Sequence, residues 1–271
     1  MTASRLTNLP TPCLLVDEAR MKRNIDRLSK HAADLGVSLR PHLKTTKSVE
    51  AARYVLKNGN GPATVSTLAE AEVFAKAGIN DILYGVGISP SKLDRVIALR
   101  NAGCRLTVLL DCEAQADAVA AASKASGIAI PAMIEIDSDG HRSGLTANDP
   151  ALTEVGRILH EGGAELVGVL CHAGESYGAV GRTAQARFAE EERQAVVDAA
   201  TVLRDAGLPC PVVSVGSTPT AHSAADLSGV TEMRAGVFVF FDLAMAGIEV
   251  FTVDDIPWSV LPTLIGSQDP N

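Results

Sequence analysis

The chain has 271 residues, 46% of them apolar and 21% charged, with a net charge of −8. That is enough apolar material for one large α/β domain or two smaller ones; the acidic balance argues against a nucleic-acid surface, and no window is apolar for long enough to span a bilayer. Cys13, Cys104, Cys112, Cys171 and Cys210 include no C-x-x-C pair, and the start Met-Thr-Ala-Ser-Arg lacks a secretion layout, so a reduced, cytoplasmic enzyme is expected.

Residues 17–35 carry Met21, Ile25, Leu28 and Ala32 on one stripe, with Gly36 as a stop, which predicts an amphipathic helix. A short strand over 37–39 follows, then Pro41, which breaks regularity, and Lys44 where a side chain can face a pocket. Residues 48–56 read as a helix closed by Asn58-Gly59-Asn60-Gly61. Apolar runs and helical patterns then alternate. Strands over 63–66, 81–86, 105–110, 128–136 and 166–170 precede helices over 69–77, 91–101, 113–126, 149–161 and 182–205. Strands over 212–215 and, past a short polar segment, 230–233 complete eight.

These runs are apolar throughout, as a parallel sheet covered on both faces requires, and strand–helix alternation predicts βαβ units. Ala-Gly at 77–78, 102–103 and 206–207 falls where helices must end. Eight such units match a closed (β/α)8 barrel, typically ~250 residues. A doubly wound open sheet is the alternative, but no G-x-G-x-x-G follows the first strand. Residues 1–250 are expected to form the barrel. Residues 251–271, with Asp254-Asp255-Ile256-Pro257-Trp258, are expected to begin a C-terminal β domain that breaks off.

In such a barrel the chemistry gathers at the carboxyl ends of the strands, often with a phosphate site after the last two. The first strand leads to His42 and Lys44, the second to Ser66-Thr67, the third to Tyr84-Gly85. The fifth leads to Glu135-Ile136-Asp137 and on to His141-Arg142, the sixth to His172 and Tyr177. Asp-Ser-Asp-Gly at 137–140 invites a calcium-loop reading, but the distant glutamate is missing; Arg142 is expected at the mouth. Gly216-Ser217-Thr218 after the seventh strand and Arg234-Ala235-Gly236-Val237 after the eighth offer a concavity of N–H and hydroxyl donors suited to a phosphate dianion. An amine, a cation, an imidazole, a phenol and a phosphate cradle on one rim point to pyridoxal 5′-phosphate (PLP). An amine that joins its aldehyde must be partly neutral.

The strings Pro41-His42-Leu43-Lys44-Thr45-Thr46-Lys47, Val65-Ser66-Thr67-Leu68-Ala69-Glu70, Glu135-Ile136-Asp137 with His141-Arg142, His172-Ala173-Gly174 with Ser176-Tyr177, and Gly216-Ser217-Thr218-Pro219-Thr220 together resemble one family. It is that of D-threonine aldolase and eukaryotic-type D-serine dehydratase, fold-type III PLP enzymes related to the N-terminal domain of alanine racemase. The likeness runs from about Thr11 to Gly266 and is nearest the branch acting on D-threo-3-hydroxyaspartate. It implies that Lys44 holds PLP through an imine, that Arg142 approaches the phenolic oxygen and that His172 lies near the ring. Ser217, Thr218, Gly236 and Val237 would bind the phosphate, and either Tyr177 or Arg234 would meet the ring nitrogen. It further implies a homodimer and a divalent metal, Zn or Mn, held by a histidine and a nearby cysteine or aspartate of a C-terminal β domain. No such pair stands in this chain: His222 has neither residue two positions on.

The function expected is a PLP-dependent lyase eliminating the β-hydroxyl of a D-3-hydroxy amino acid such as D-threo-3-hydroxyaspartate or D-serine. The alternatives are retro-aldol cleavage to glycine and an aldehyde, a PLP-binding protein without turnover, and a sugar-phosphate barrel in which Lys44 is incidental.

Overall fold

The computed structural model describes residues 6–56, 59–140 and 143–266. A first strand, β1 (Cys13–Val16), stands apart from the barrel and leads into helix α1 (Glu18–Asp34), capped by Asp17, whose side chain accepts the Arg20 N–H. The barrel strands are β2 (Ser38–Pro41), β3 (Ala63–Val65), β4 (Asp81–Gly87), β5 (Arg105–Leu110), β6 (Pro131–Ile136), β7 (Glu165–Cys171), β8 (Val212–Val215) and β9 (Glu232–Ala235). Between them run α2 (Val49–Val55), α3 (Leu68–Lys76), α4 (Leu93–Asn101), α5 (Glu113–Ser126), α6 (Pro150–Glu161), α7 (Arg182–Asp205) and the short α8 (Thr218–Ser223). A last short helix, α9 (Leu243–Gly247), precedes strand β10 (Trp258–Leu261).

The barrel strands are parallel, in the order β2-β9-β8-β7-β6-β5-β4-β3. The remaining seam, β2 against β3, closes only at the mouth. There His42 pairs with Thr64, and the Leu43 N–H donates to the Thr64 carbonyl at 2.8 Å. Pro41 explains why. The His42 N–H points to β9, bonding the Ala235 carbonyl at 2.7 Å, so position 41 faces β3 with no N–H to offer. Pairing with β3 resumes one residue before Lys44. Pro41, expected to end regularity, is instead the last residue of β2.

The larger core lies between strands and helices, with Leu28, Phe74, Leu106, Val155 and Val196 fully buried. A smaller cluster, Leu83, Leu109, Met133, Val167 and Leu170, fills one side of the barrel interior. The other side is polar. Arg40 of β2 bonds Glu232 of β9 at 2.6 Å and Asp81 of β4 at 2.8 Å. This displaces the eighth strand from its expected position: it runs over Glu232–Ala235 rather than 230–233 because Glu232 and Arg234 point inward, where an apolar run is the usual sign. The strand expected over 128–136 likewise begins only at Pro131.

The C-terminal residues return to the start of the chain. β10 pairs antiparallel with β1, and the Asp17 N–H donates to the Pro257 carbonyl at 2.6 Å. Asn24, a buried amide on the apolar stripe of α1, donates to the Asp255 carbonyl at 2.8 Å, and Arg27 pairs with the Asp255 carboxylate. No helix among the described residues is long and apolar enough to cross a membrane.

Candidate active site

The strand ends surround a pocket. Lys44, His172, Tyr177, Ser217, Thr218, Arg234, Gly236 and Val237, the site residues expected from sequence, all line it. Arg142, and His141 before it, lie outside the described residues.

Lys44 sits in the turn that follows the closing seam, exposed to the mouth. Its backbone N–H donates to His42 Nδ1 at 3.3 Å, so the His42 proton is on Nε2, which lies 3.4 Å from Ser66 Oγ. Burial, helped by the positive charge of Lys44, pulls the His42 pKa down to about 2. His42 is therefore a neutral spacer under the amine and not a titrating base. Gly236, on the adjacent strand exit, has no room for a side chain: a Cβ would stand 2.9 Å from Thr45 Oγ1 and 3.0 Å from the His42 carbonyl oxygen.

On the opposite rim the His172 Nδ1 bonds the Gly216 carbonyl at 2.8 Å. A carbonyl only accepts, so Nδ1 carries the proton and Nε2 is the basic nitrogen. Tyr177, on a single 3-10 turn after β7, accepts the Thr218 N–H at 3.3 Å, and burial raises its pKa, keeping it a neutral phenol. Gly216 brings the chain against β9 with φ +145°, and a Cβ there would meet the Arg234 carbonyl oxygen at 1.8 Å. Ser217 caps α8: its N–H donates to Thr220 Oγ1 at 3.1 Å, and its Oγ accepts the Thr220 N–H at 3.2 Å. Thr218 Oγ1 is buried and has no hydrogen-bond partner among the described residues.

Arg234 forms the floor. Its Nε donates to Ser214 Oγ at 2.9 Å and its Nη2 to the Cys171 carbonyl, while Ser214 Oγ donates to Glu232. Burial lowers its pKa, opposed by the nearby carboxylates Glu192 and Glu232.

Sequence reasoning placed no role on Glu192 or Glu135. Glu135 lines the pocket from β6. Glu192 lies wholly buried on α7 beneath it, accepting the Ala173 N–H at 3.0 Å and the Gly216 N–H at 2.9 Å. Burial raises its pKa against these bonds. A signal was present: Ala189, Glu192 and Val196 share the buried stripe of α7, and a carboxylate at that spacing is out of place on a surface-free face.

The residues fit PLP. The buried, unpartnered Thr218 hydroxyl and the side-chain-free approach at Gly236 form a cradle that shares one pocket with the Lys44 amine. The metal implied by the resemblance has no such support, since the described residues contain no group of three or more His, Cys, Asp or Glu able to hold one.

A profile of the family described as "Alanine racemase, N-terminal domain" matches residues 16–244. The chain is 52% identical over 264 residues to D-threo-3-hydroxyaspartate dehydratase of Delftia sp. strain HT23, covering 97% of this chain and 70% of that protein. The solved structure of that dehydratase superposes with a TM-score of 0.94, with the same identity and coverage. D-serine dehydratase of Dictyostelium discoideum is 28% identical, covering 96% of this chain and 70% of that protein. D-threonine aldolase from Filomicrobium marinum is 26% identical with a TM-score of 0.77, covering 88% of this chain and 64% of that one.

Proposed function

The chain belongs to the alanine racemase N-terminal domain family, with D-threo-3-hydroxyaspartate dehydratase among its relatives, and from that premise we propose that it is a PLP-dependent lyase eliminating the β-hydroxyl of a D-3-hydroxy amino acid. The observation that carries this reading is that Lys44 and the Thr218–Gly236 cradle, far apart in sequence, open onto the same pocket.

When bound, PLP supplies an aldehyde for the amine and an electron sink for the substrate's α-carbon. Lys44 would hold the aldehyde end, and its Nζ is the basic atom placed to take the substrate's α-proton. His172 holds or returns a proton at Nε2, which suits the departing hydroxyl. Thr218, Gly236 and Val237, with Ser217 capping the helix beneath them, bind the phosphate. Tyr177 rather than Arg234 meets the ring nitrogen, because Arg234 already bonds Ser214 and the Cys171 carbonyl through Nε and Nη2. Arg142 is assigned to the phenolic oxygen on the sequence alone. The proposal extends to a cytoplasmic homodimer, and to a division into a barrel that ends near residue 250 and a β domain that the following segment opens, with β1 counted to the latter because it pairs with β10 and not with the barrel.

The test is reconstitution with PLP. A visible absorption band, fixed by borohydride and lost in Lys44→Ala, is expected. Incubation with D-threo-3-hydroxyaspartate, D-serine or D-threonine should release ammonia and a keto acid; glycine in their place would assign an aldolase. A wild-type protein with no such band would overturn the reading.

A further inference from the structure

Beneath the pocket four short O···O contacts run in series. Glu192 Oε2 lies 2.8 Å from Thr220 Oγ1, Thr220 Oγ1 2.9 Å from Ser217 Oγ, Ser217 Oγ 2.8 Å from Ser176 Oγ, and Ser176 Oγ 2.7 Å from the Ala173 carbonyl oxygen. All four side chains are buried, from 0% to 2% exposed. Protons can be counted along this line. A hydroxyl brings one proton and two lone pairs, so Thr220, Ser217 and Ser176 bring three protons to four contacts. The Ala173 end is fixed, since a carbonyl oxygen only accepts and Ser176 must donate to it. Ser217 must then donate to Ser176. If Glu192 is ionised, Thr220 donates either to Glu192 or to Ser217. One contact is then left with two lone pairs facing each other in a dry interior, which is costly.

A fourth proton removes the conflict. We propose that Glu192 is held in the folded protein as a neutral carboxylic acid, whose O–H starts a one-way chain Glu192→Thr220→Ser217→Ser176→Ala173, and that it is the positioning residue for both halves of the pocket rim. Every other bond agrees with this direction. Glu192 Oε1, the carbonyl oxygen of the acid, keeps its two lone pairs for the Ala173 and Gly216 N–H groups. Thr220 Oγ1 and Ser217 Oγ each retain one acceptor site, for the Ser217 and Thr220 N–H respectively.

The consequence reaches the chemistry. Glu192 grips the backbone on both sides of His172: the Ala173 N–H is its neighbour, and Gly216 supplies the carbonyl that fixes the His172 tautomer. The same chain turns the Ser217 hydroxyl away from the pocket, leaving Thr218 as the hydroxyl donor of the cradle. The charged and titratable groups acting on Glu192 or acted on by it are Arg234 from β9, Cys171 from the end of β7 and Tyr177 from the turn beyond it; of these Arg234 favours ionisation, as do the hydrogen bonds from Gly216, Thr220 and Ala173, and burial opposes them. Arg234 is already engaged by Ser214 and the Cys171 carbonyl.

The protonation state is read by infrared difference spectroscopy of the wild type against Glu192→Gln at neutral pH, in H2O and D2O. A protonated-carboxyl C=O band, shifted in D2O and absent from the variant, is expected; loss of carboxylate bands in its place would overturn the assignment. The positioning role rests on the PLP reading and is measured by absorbance titration. Glu192→Gln, whose amide can donate to Thr220 as the acid does, should bind PLP within about threefold of the wild type. Glu192→Leu should bind about tenfold or more weakly, the worth of a lost buried hydrogen bond. Ser176→Ala, which removes the last hydroxyl without altering α7, should weaken binding several-fold and decides the matter if Glu192→Leu fails to fold. Equal affinity in all the soluble variants would remove the positioning role. A wild type that shows the infrared band and no PLP binding would sink the cofactor reading and leave the acid standing.

Discussion

Thr218 carries a hydroxyl that is fully buried yet has no hydrogen-bond partner among the described residues. Such a group costs about 1–3 kcal/mol, and a phosphate oxygen would repay it. Thr218→Val is therefore expected to leave the cofactor-free protein as stable or more stable by thermal unfolding, while weakening PLP about tenfold by absorbance titration. A variant that binds as the wild type does would take Thr218 out of the cradle. Glu192 makes a second prediction at this scale. Its pKa is raised in the folded protein by burial, so its stabilising effect is complete below its ordinary value of 4.5 and is lost as pH rises through the raised one. The stability of the wild type relative to Glu192→Gln should accordingly fall as pH increases above about 4.5. A difference that grows with pH would mean that the folded protein prefers the carboxylate. His42 also contributes: held neutral in the folded protein down to about 2, it takes up a proton only in the unfolded chain as pH falls through its ordinary 6.5, so it lowers stability on acidification.

At the scale of elements, the site is made by strand exits that approach too closely for side chains. Gly236→Ala would press a Cβ onto the His42 carbonyl, which belongs to the seam that closes β2 on β3. Relief requires that the Lys44 turn move outward. The expected result is a cost of about 1–3 kcal/mol in urea unfolding, typical of overpacking, together with a larger loss of PLP affinity than Thr218→Val produces. Unchanged affinity would show that the turn moves freely. The Pro41-to-Lys47 string was legible as a turn at a strand end, since proline and the polar run after it are local signals. Its role as the barrel's closing seam was not, because the partner, Thr64, is supplied by another strand. Helix α8 was missed for a related reason: Thr218–Ser223 is six residues long and polar, and it is held by the Ser217–Thr220 cap rather than by an apolar stripe.

Across the whole molecule, the barrel interior divides into an apolar half and an ionic half. Arg40 joins three strands there, through Glu232, Asp81 and the Ala63 carbonyl. Removing one partner of a buried ion pair leaves the other charged and unpaired. Arg40→Met is thus expected to cost about 3–5 kcal/mol in chemical denaturation; a cost below about 1 kcal/mol, the range of exposed pairs, would show that water reaches Glu232. The outer ribbon of β1 and β10 is the other global feature. It turns Leu14, Val16, Trp258 and Val260 outward while residues 255–257 are fastened to α1 and Asp17.

Periodicity and punctuation determined the strand and helix succession, and with it the (β/α)8 class, because an apolar stripe, a cap or a stop acts within a few residues of itself. The lysine, the histidine and the glycine-rich turns could be read as strand-end residues for the same reason. That Lys44 and Thr218 share a pocket, that Glu192 closes a chain of hydroxyls beneath it, that β9 buries two charges and that β10 returns to β1 were decided only by the tertiary structure. Burial and hydrogen-bond direction depend on which remote segment lies opposite, and no local stretch of sequence carries that information.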